Sequence, residues 1–96
     1  MSKDTDRKAA ERLENLRHFI LLALDEEDNS FGLQVGALTV LVRSRYAYTE
    51  HAEVTRELDY LLEKGLVMRL PKAISPENRA HRISAAGRDW LAERGL

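Results

Sequence analysis

The stretch that most constrains this 96-residue chain runs from Thr49 to Leu70, TEHAEVTRELDYLLEKGLVMRL. Val54, Leu58, Leu61 and Leu62 fall at i, i+4, i+7 and i+8, one stripe of an amphipathic helix. Lys64 and Gly65 close it. A cation sits well near the negative helix end, and glycine enters the left-handed conformation beyond that end without a Cβ clash. Leu66 to Leu70 follows at once, apolar and partly β-branched, and is expected to be a strand.

The flanking segments supply the rest of one domain over residues 1–96, with 1–7 expected as a frayed tail. A first helix is expected from Arg7 to Leu24, because Leu13, Leu16, Ile20 and Leu24 repeat at three and four residues. Phe19, Leu22 and Ala23 widen its apolar face, as in a helix covered from two sides. Asp25 to Asp28 is an acidic run that ends it in a solvated turn, without the alternation of a calcium loop. A second helix is expected from Gln34 to Arg43, with Leu38, Leu41 and Val42 inward and Gly36 at a close helix contact. Ser44 to Tyr48 is the turn, with Tyr46 and Tyr48 packing over it. Thr49 is the expected N-cap of the third helix.

Beyond the strand, Pro71 and Pro76 bracket a loop, since proline supplies no ladder donor. Arg79 to Ile83 is the second strand, so residues 66–83 form a hairpin. Ser84 is the N-cap of a last helix, Ala85 to Glu93, with Trp90 and Leu91 as anchors, Gly87 at a close contact and Gly95 as C-cap. The expected class is mainly α with a small β-hairpin wing: a winged helix-turn-helix, in the order helix, helix, helix, strand, strand, helix.

Several functions are excluded by composition. The chain has no cysteine, which removes disulfides, thiolate zinc sites and thiol catalysis together. His18, His51 and His81 are too far apart for a paired metal motif, and no nucleophile stands beside a base, so neither enzyme, metal nor cofactor is expected. The apolar run Phe19–Leu24 is much shorter than the ~20 residues of a membrane span. MSKDTDRKAAER carries no apolar core of a secretory signal, and a cytoplasmic protein is expected. Fifteen basic and sixteen acidic residues leave a net charge of −1, so no global field draws in nucleic acid. The charge is uneven: residues 49–66 carry −3, whereas residues 67–83 carry +3.

VTRELDYLLEKGLVMRL resembles the recognition helix, Lys-Gly-Leu-Val stop and first wing strand of MarR, PadR and ArsR-like bacterial regulators. HRISAAGRDWLA is similar to their second wing strand and final helix. Together the two segments extend the likeness over nearly the whole chain, and small winged-helix proteins of phages and prophages look similar in length. The resemblance implies double-stranded DNA as the partner, and a homodimer through the first and last helices is expected, because the first helix has more apolar surface than a four-helix domain can readily cover. The third helix would lie in the major groove and the wing along the phosphates. The outward face of that helix is expected to carry Thr49, Ala52, Glu53, Arg56, Asp59, Tyr60 and Glu63. Candidate base readers are Thr49, Glu53, Thr55 and Arg56: arginine for a guanine edge, glutamate for cytosine, threonine for a methyl or phosphate. Candidate phosphate contacts are Arg43, Arg45, Arg69, Lys72, Arg79, His81 and Arg82. The acidity of the third helix also motivates an alternative, a winged-helix module that docks a protein partner on that face, as in phage or complex assembly.

Overall fold

The computed structural model describes residues 3–27, 32–70 and 79–94, with side chains from residue 6 onward. Helix α1 spans Lys3–Glu26, longer at both ends than its apolar repeat suggested. A two-residue strand β1, Leu33–Gln34, then precedes α2, Val35–Arg45. Helix α3 is His51–Glu63, the strands β2 and β3 are Val67–Arg69 and Ala80–Ile83, and α4 is Ala85–Glu93.

The sheet has three strands in the order β1-β3-β2, all antiparallel. The two-stranded wing expected from sequence is therefore extended by β1, where Leu33 pairs with His81 and Gln34 with Ala80. Two residues are too few to show alternation, and Gln34 lies in β1 rather than at the start of α2. On the other edge Val67 faces Ile83, Met68 faces Arg82 and Arg69 faces His81, and Leu70 N–H donates to Ala80 O at 2.9 Å. The loop at 71–78, with Lys72, and the glycine at 95 lie outside the described residues.

One core serves every element. Leu16, Ile20, Leu21 and Leu24 of α1 meet Leu38 and Val42 of α2 and Val54, Leu58 and Leu61 of α3. Val67, Ile83 and Leu91 close it from the sheet and α4. The apolar face of α1 is thus largely covered within this chain, with Phe19 and Leu22 packed partly buried at its rim. Leu91 is a full anchor, whereas Trp90 is half-buried, edge-on to His18 at 5.7 Å and under the Arg94 guanidinium at 3.4 Å.

The stop of α3 is locked to the start of α4. Gly65 takes φ +74°, Gly65 N–H donates to Leu62 O and Leu66 N–H donates to Leu61 O, a complete Schellman closure. Ser84 O–H donates to Gly65 O at 2.6 Å and accepts from Gly87 N–H at 3.0 Å, so one hydroxyl caps α4 and ties it to the end of α3. Ser84 N–H adds a bond to Leu66 O at 3.1 Å. Gly87 is required here because a Cβ would lie 2.2 Å from Leu66 O. The close contact expected at Gly36 is absent, since nothing lies within 4 Å of its Cβ position.

Two further expectations are corrected. Thr49 does not cap α3: the N-cap is Glu50, without a side-chain bond, and Thr49 is buried at 1% exposure beneath the turn. Its carbonyl accepts from Arg43 Nε at 2.8 Å, so that arginine fastens the turn. Tyr46 packs edge-on against Phe19, as expected of a turn residue, but Tyr48 projects into solvent at 96% exposure.

Helix α3 is also strapped to α1 by charge. Arg17 Nε donates to the buried Glu57 Oε1 at 2.6 Å, and the Arg17 guanidinium lies 3.7 Å from the Tyr60 ring centroid. One turn earlier, Arg12 grips Glu53 through both terminal nitrogens at the exposed edge of the same contact.

Opposite effects are expected at the two glycines in urea unfolding. Gly87→Ala costs about 1–3 kcal/mol because the obstacle is backbone. Gly36→Ala stabilises by about 0.4–1 kcal/mol through the unfolded chain. The same measurement separates the two ion pairs. Arg17→Met, which strands a buried carboxylate, costs about 3 kcal/mol, whereas Arg12→Met costs less than about 1 kcal/mol.

Candidate nucleic-acid interface

The surface of α3 divides into stripes, and each meets a different neighbour. Val54, Leu58 and Leu61 face the core. Glu53, Glu57 and Tyr60, with Lys64 just past the helix end, follow at four, three and four residues and face α1. His51, Thr55 and Asp59 face the sheet. Ala52, Arg56 and Glu63 are left exposed on the outside.

This division reassigns much of the expected outward face. Glu53 belongs mainly to the α1 contact, and Tyr60 is half-buried under Arg17. Glu57, whose acidic side chain carries no local sign of burial, is buried with Arg17. The spacing of Glu53, Glu57, Tyr60 and Lys64 was visible in the sequence, but its partners on α1 were not. Asp59 lies 3.6 Å from Arg69 across the groove to β2, an exposed pair of small energetic weight. Three of the five carboxylates in residues 49–66 therefore stand beside an arginine from another element.

The effect on titration follows the geometry. Hydrogen bonding from Arg12 holds the Glu53 carboxyl below the usual carboxylate range against the opposing effect of burial, and Arg56 adds a smaller pull in the same direction. The same hydrogen bond raises the Arg12 guanidinium. Glu53 is thus committed as an anion to its partner on α1.

Strand alternation sorts the basic residues of the wing. Arg79, His81 and Arg69 share the groove facing α3, with Val35, His51, Thr55, Leu58 and Asp59, around a space of about 460 Å³. Arg82 and Met68, paired across the strands, take the opposite face. The wing cations do not form one cluster.

His81 is corrected as a phosphate contact. It is 4% exposed on the groove floor, and burial pushes its imidazole below the ordinary histidine range, opposed by a hydrogen bond to the Leu33 backbone. A ring held neutral in this way is a poor partner for phosphate. Thr49 is likewise enclosed, so its hydroxyl is not on the outer surface. Thr55 is half-exposed on the groove side and donates to His51 O at 3.0 Å. Arg45 is exposed beside the Tyr46 ring, while Arg43 is exposed but tied to Thr49. Arg56 stands exposed at the middle of the outer stripe of α3.

Among the described residues no group of three or more histidine, aspartate or glutamate side chains is placed to hold a metal ion. No described helix is long and apolar enough to cross a membrane.

No protein-family model and no curated protein matches the chain. Two solved structures are similar to it. The peroxide stress regulator of Campylobacter jejuni superposes with a TM-score of 0.73 at 19% identity, over 88% of this chain and 60% of that one. A MarR family transcriptional regulator from Silicibacter pomeroyi DSS gives a TM-score of 0.64 at 25% identity, over 92% of this chain and 53% of that one. Both are regulators rather than enzymes, and this chain spans somewhat more than half the length of each. Four helices around a short antiparallel sheet, with an α3 stop continuous with a wing, give this chain the winged helix-turn-helix fold of MarR-like transcriptional regulators.

Proposed function

We propose that the chain is a DNA-binding transcriptional regulator that places the outer stripe of α3 in the major groove and its wing beside the phosphate backbone. The observation that carries this reading is the disposition of charge on α3. Glu53 and Glu57 are drawn back onto α1, Asp59 stands beside Arg69, and Arg56 is left exposed on the outer stripe. With Arg56 and Glu63 both on it, the outer stripe that would meet DNA is near neutral, less anionic than the helix looks in sequence. Both structural neighbours are regulators, which agrees with this assignment.

In this reading Arg56 is the base-reading arginine, with Thr55 beside it at the groove edge. Arg69 and Arg79 flank the phosphates across the groove, Arg45 approaches them from the end of α2, and Lys72 and Arg82 extend the basic wing. The working form is a cytoplasmic homodimer through α1 and α4, and binding two half-sites requires its two α3 helices to lie about 34 Å apart, one turn of duplex. The alternative, a protein partner on an acidic α3 face as in phage assembly, is weakened because Glu53 and Asp59 each stand beside an arginine, and it rests on exposed Glu63 and the half-paired Asp59.

Titration of a mixed-sequence duplex at about 50 and 200 mM salt tests the reading. Binding is expected at the lower salt and weakens steeply at the higher. Arg69→Ala weakens binding to every sequence and flattens the salt slope by about one, whereas Arg56→Ala costs about 1–3 kcal/mol and blunts discrimination among sequences. No binding at the lower salt, or indifference to both substitutions, overturns it.

A further inference from the structure

The strap between α1 and α3 has a consequence for Arg56. Glu53 and Arg56 are three residues apart on one helix, the spacing at which a carboxylate and a guanidinium become neighbours and pair. The influence of Arg56 reaches the Glu53 carboxyl. Yet both Glu53 oxygens are engaged by Arg12, one by each terminal nitrogen, in the two-pronged geometry that most favours arginine over a competitor. Arg12 comes from a different helix, 41 residues away in sequence, and holds Glu53 on the α1-facing stripe that borders the exposed one.

We propose that Arg12 is a positioning residue for DNA recognition: by occupying Glu53 it keeps the Arg56 guanidinium from folding back along α3 and leaves it directed outward. The proposal rests on the DNA-binding reading above and assigns a function to a residue that touches no DNA. Glu53 is then not a reader of cytosine. It is the carboxylate that would capture Arg56 if left alone. The neighbouring Arg17–Glu57 pair is buried and holds the helices together, whereas the Arg12–Glu53 pair sits at the exposed edge and contributes little to stability. Its removal therefore leaves the fold standing and exposes the electrostatic role.

The decisive feature is the coupling to Arg56. Arg12→Met and Glu53→Gln change the net charge in opposite directions, so charge alone also moves DNA affinity apart, but it leaves the Arg12→Met loss intact in an Arg56→Ala background and brings the double variant back only to wild type. Arg12→Met frees Glu53 to capture Arg56 and is expected to weaken duplex binding about twofold. Glu53→Gln removes the captor and leaves affinity equal to wild type or modestly tighter. The double substitution restores binding to the level of Glu53→Gln. In an Arg56→Ala background, Arg12→Met has little further effect.

Side-chain NMR of the Arg56 Nε–H group reads the same contact without DNA. Its exchange with water is expected to be fast in wild type, slowed in Arg12→Met and fast again in the double variant. If the Arg12→Met loss stays intact in an Arg56→Ala background, or the Arg56 signal is unchanged by Arg12→Met, the proposal is overturned. If wild type binds no duplex while the Arg56 signal behaves as described, the positioning contact stands and the DNA-binding reading fails.

Discussion

The arrangement depends most on the junction where α3 ends against the start of α4. A single hydroxyl, that of Ser84, caps α4 through Gly87 and reaches back to the Gly65 carbonyl. Gly65 supplies the left-handed residue that lets the chain leave α3 and enter β2 at once, and Gly87 supplies the missing Cβ that lets Leu66 lie against α4. With that corner fixed, β2 must run alongside the C-terminal half of α3, and the pairing of Val67 with Ile83 sets the register of the wing. The inward and outward faces of the hairpin follow from it. Arg69, Arg79 and His81 turn toward α3 because Ile83 and Val67 must turn toward the core.

Charge is organised by the same packing. The net charge of the chain, and even that of the α3 segment, describes poorly what a partner would meet. Two carboxylates of α3 are neutralised from α1 and a third stands beside β2, so the acidic residues largely compensate charges supplied elsewhere in the fold. Burial then separates the pairs by role. The Arg17–Glu57 contact, stacked on Tyr60, fixes how α3 sits on α1, whereas the Arg12–Glu53 contact governs what the exposed stripe presents.

Much of the fold was legible because its signals are local. The 3.6-residue repeat of α3, the Lys64–Gly65 stop, the Ser84 cap and the small residue at position 87 each declare themselves within a few positions of sequence. What was not legible is tertiary. Strand β1 is two residues long and exists because β3 offers an open edge. The carboxylates of α3 looked solvent-facing because nothing near them in sequence reveals Arg12 and Arg17 on another helix. His81 looked like a wing cation because alternation in a four-residue strand does not say which face is covered. Thr49 looked like a cap because its residue type suits one, yet the turn buries it and passes the N-cap position to Glu50. What sequence could not give for the candidate site is which side chains face out.

The central claim is that the outer stripe of α3 and the α3-facing side of the wing form one DNA-contacting surface. Mapping backbone amide shifts of the full chain during titration with a mixed-sequence duplex addresses it most directly. The account predicts shifts concentrated at Ala52, Thr55, Arg56, Arg69 and Arg79, with the outer side of α4 silent. Shifts confined to α1 and α4, or none at the outer stripe of α3, would contradict it.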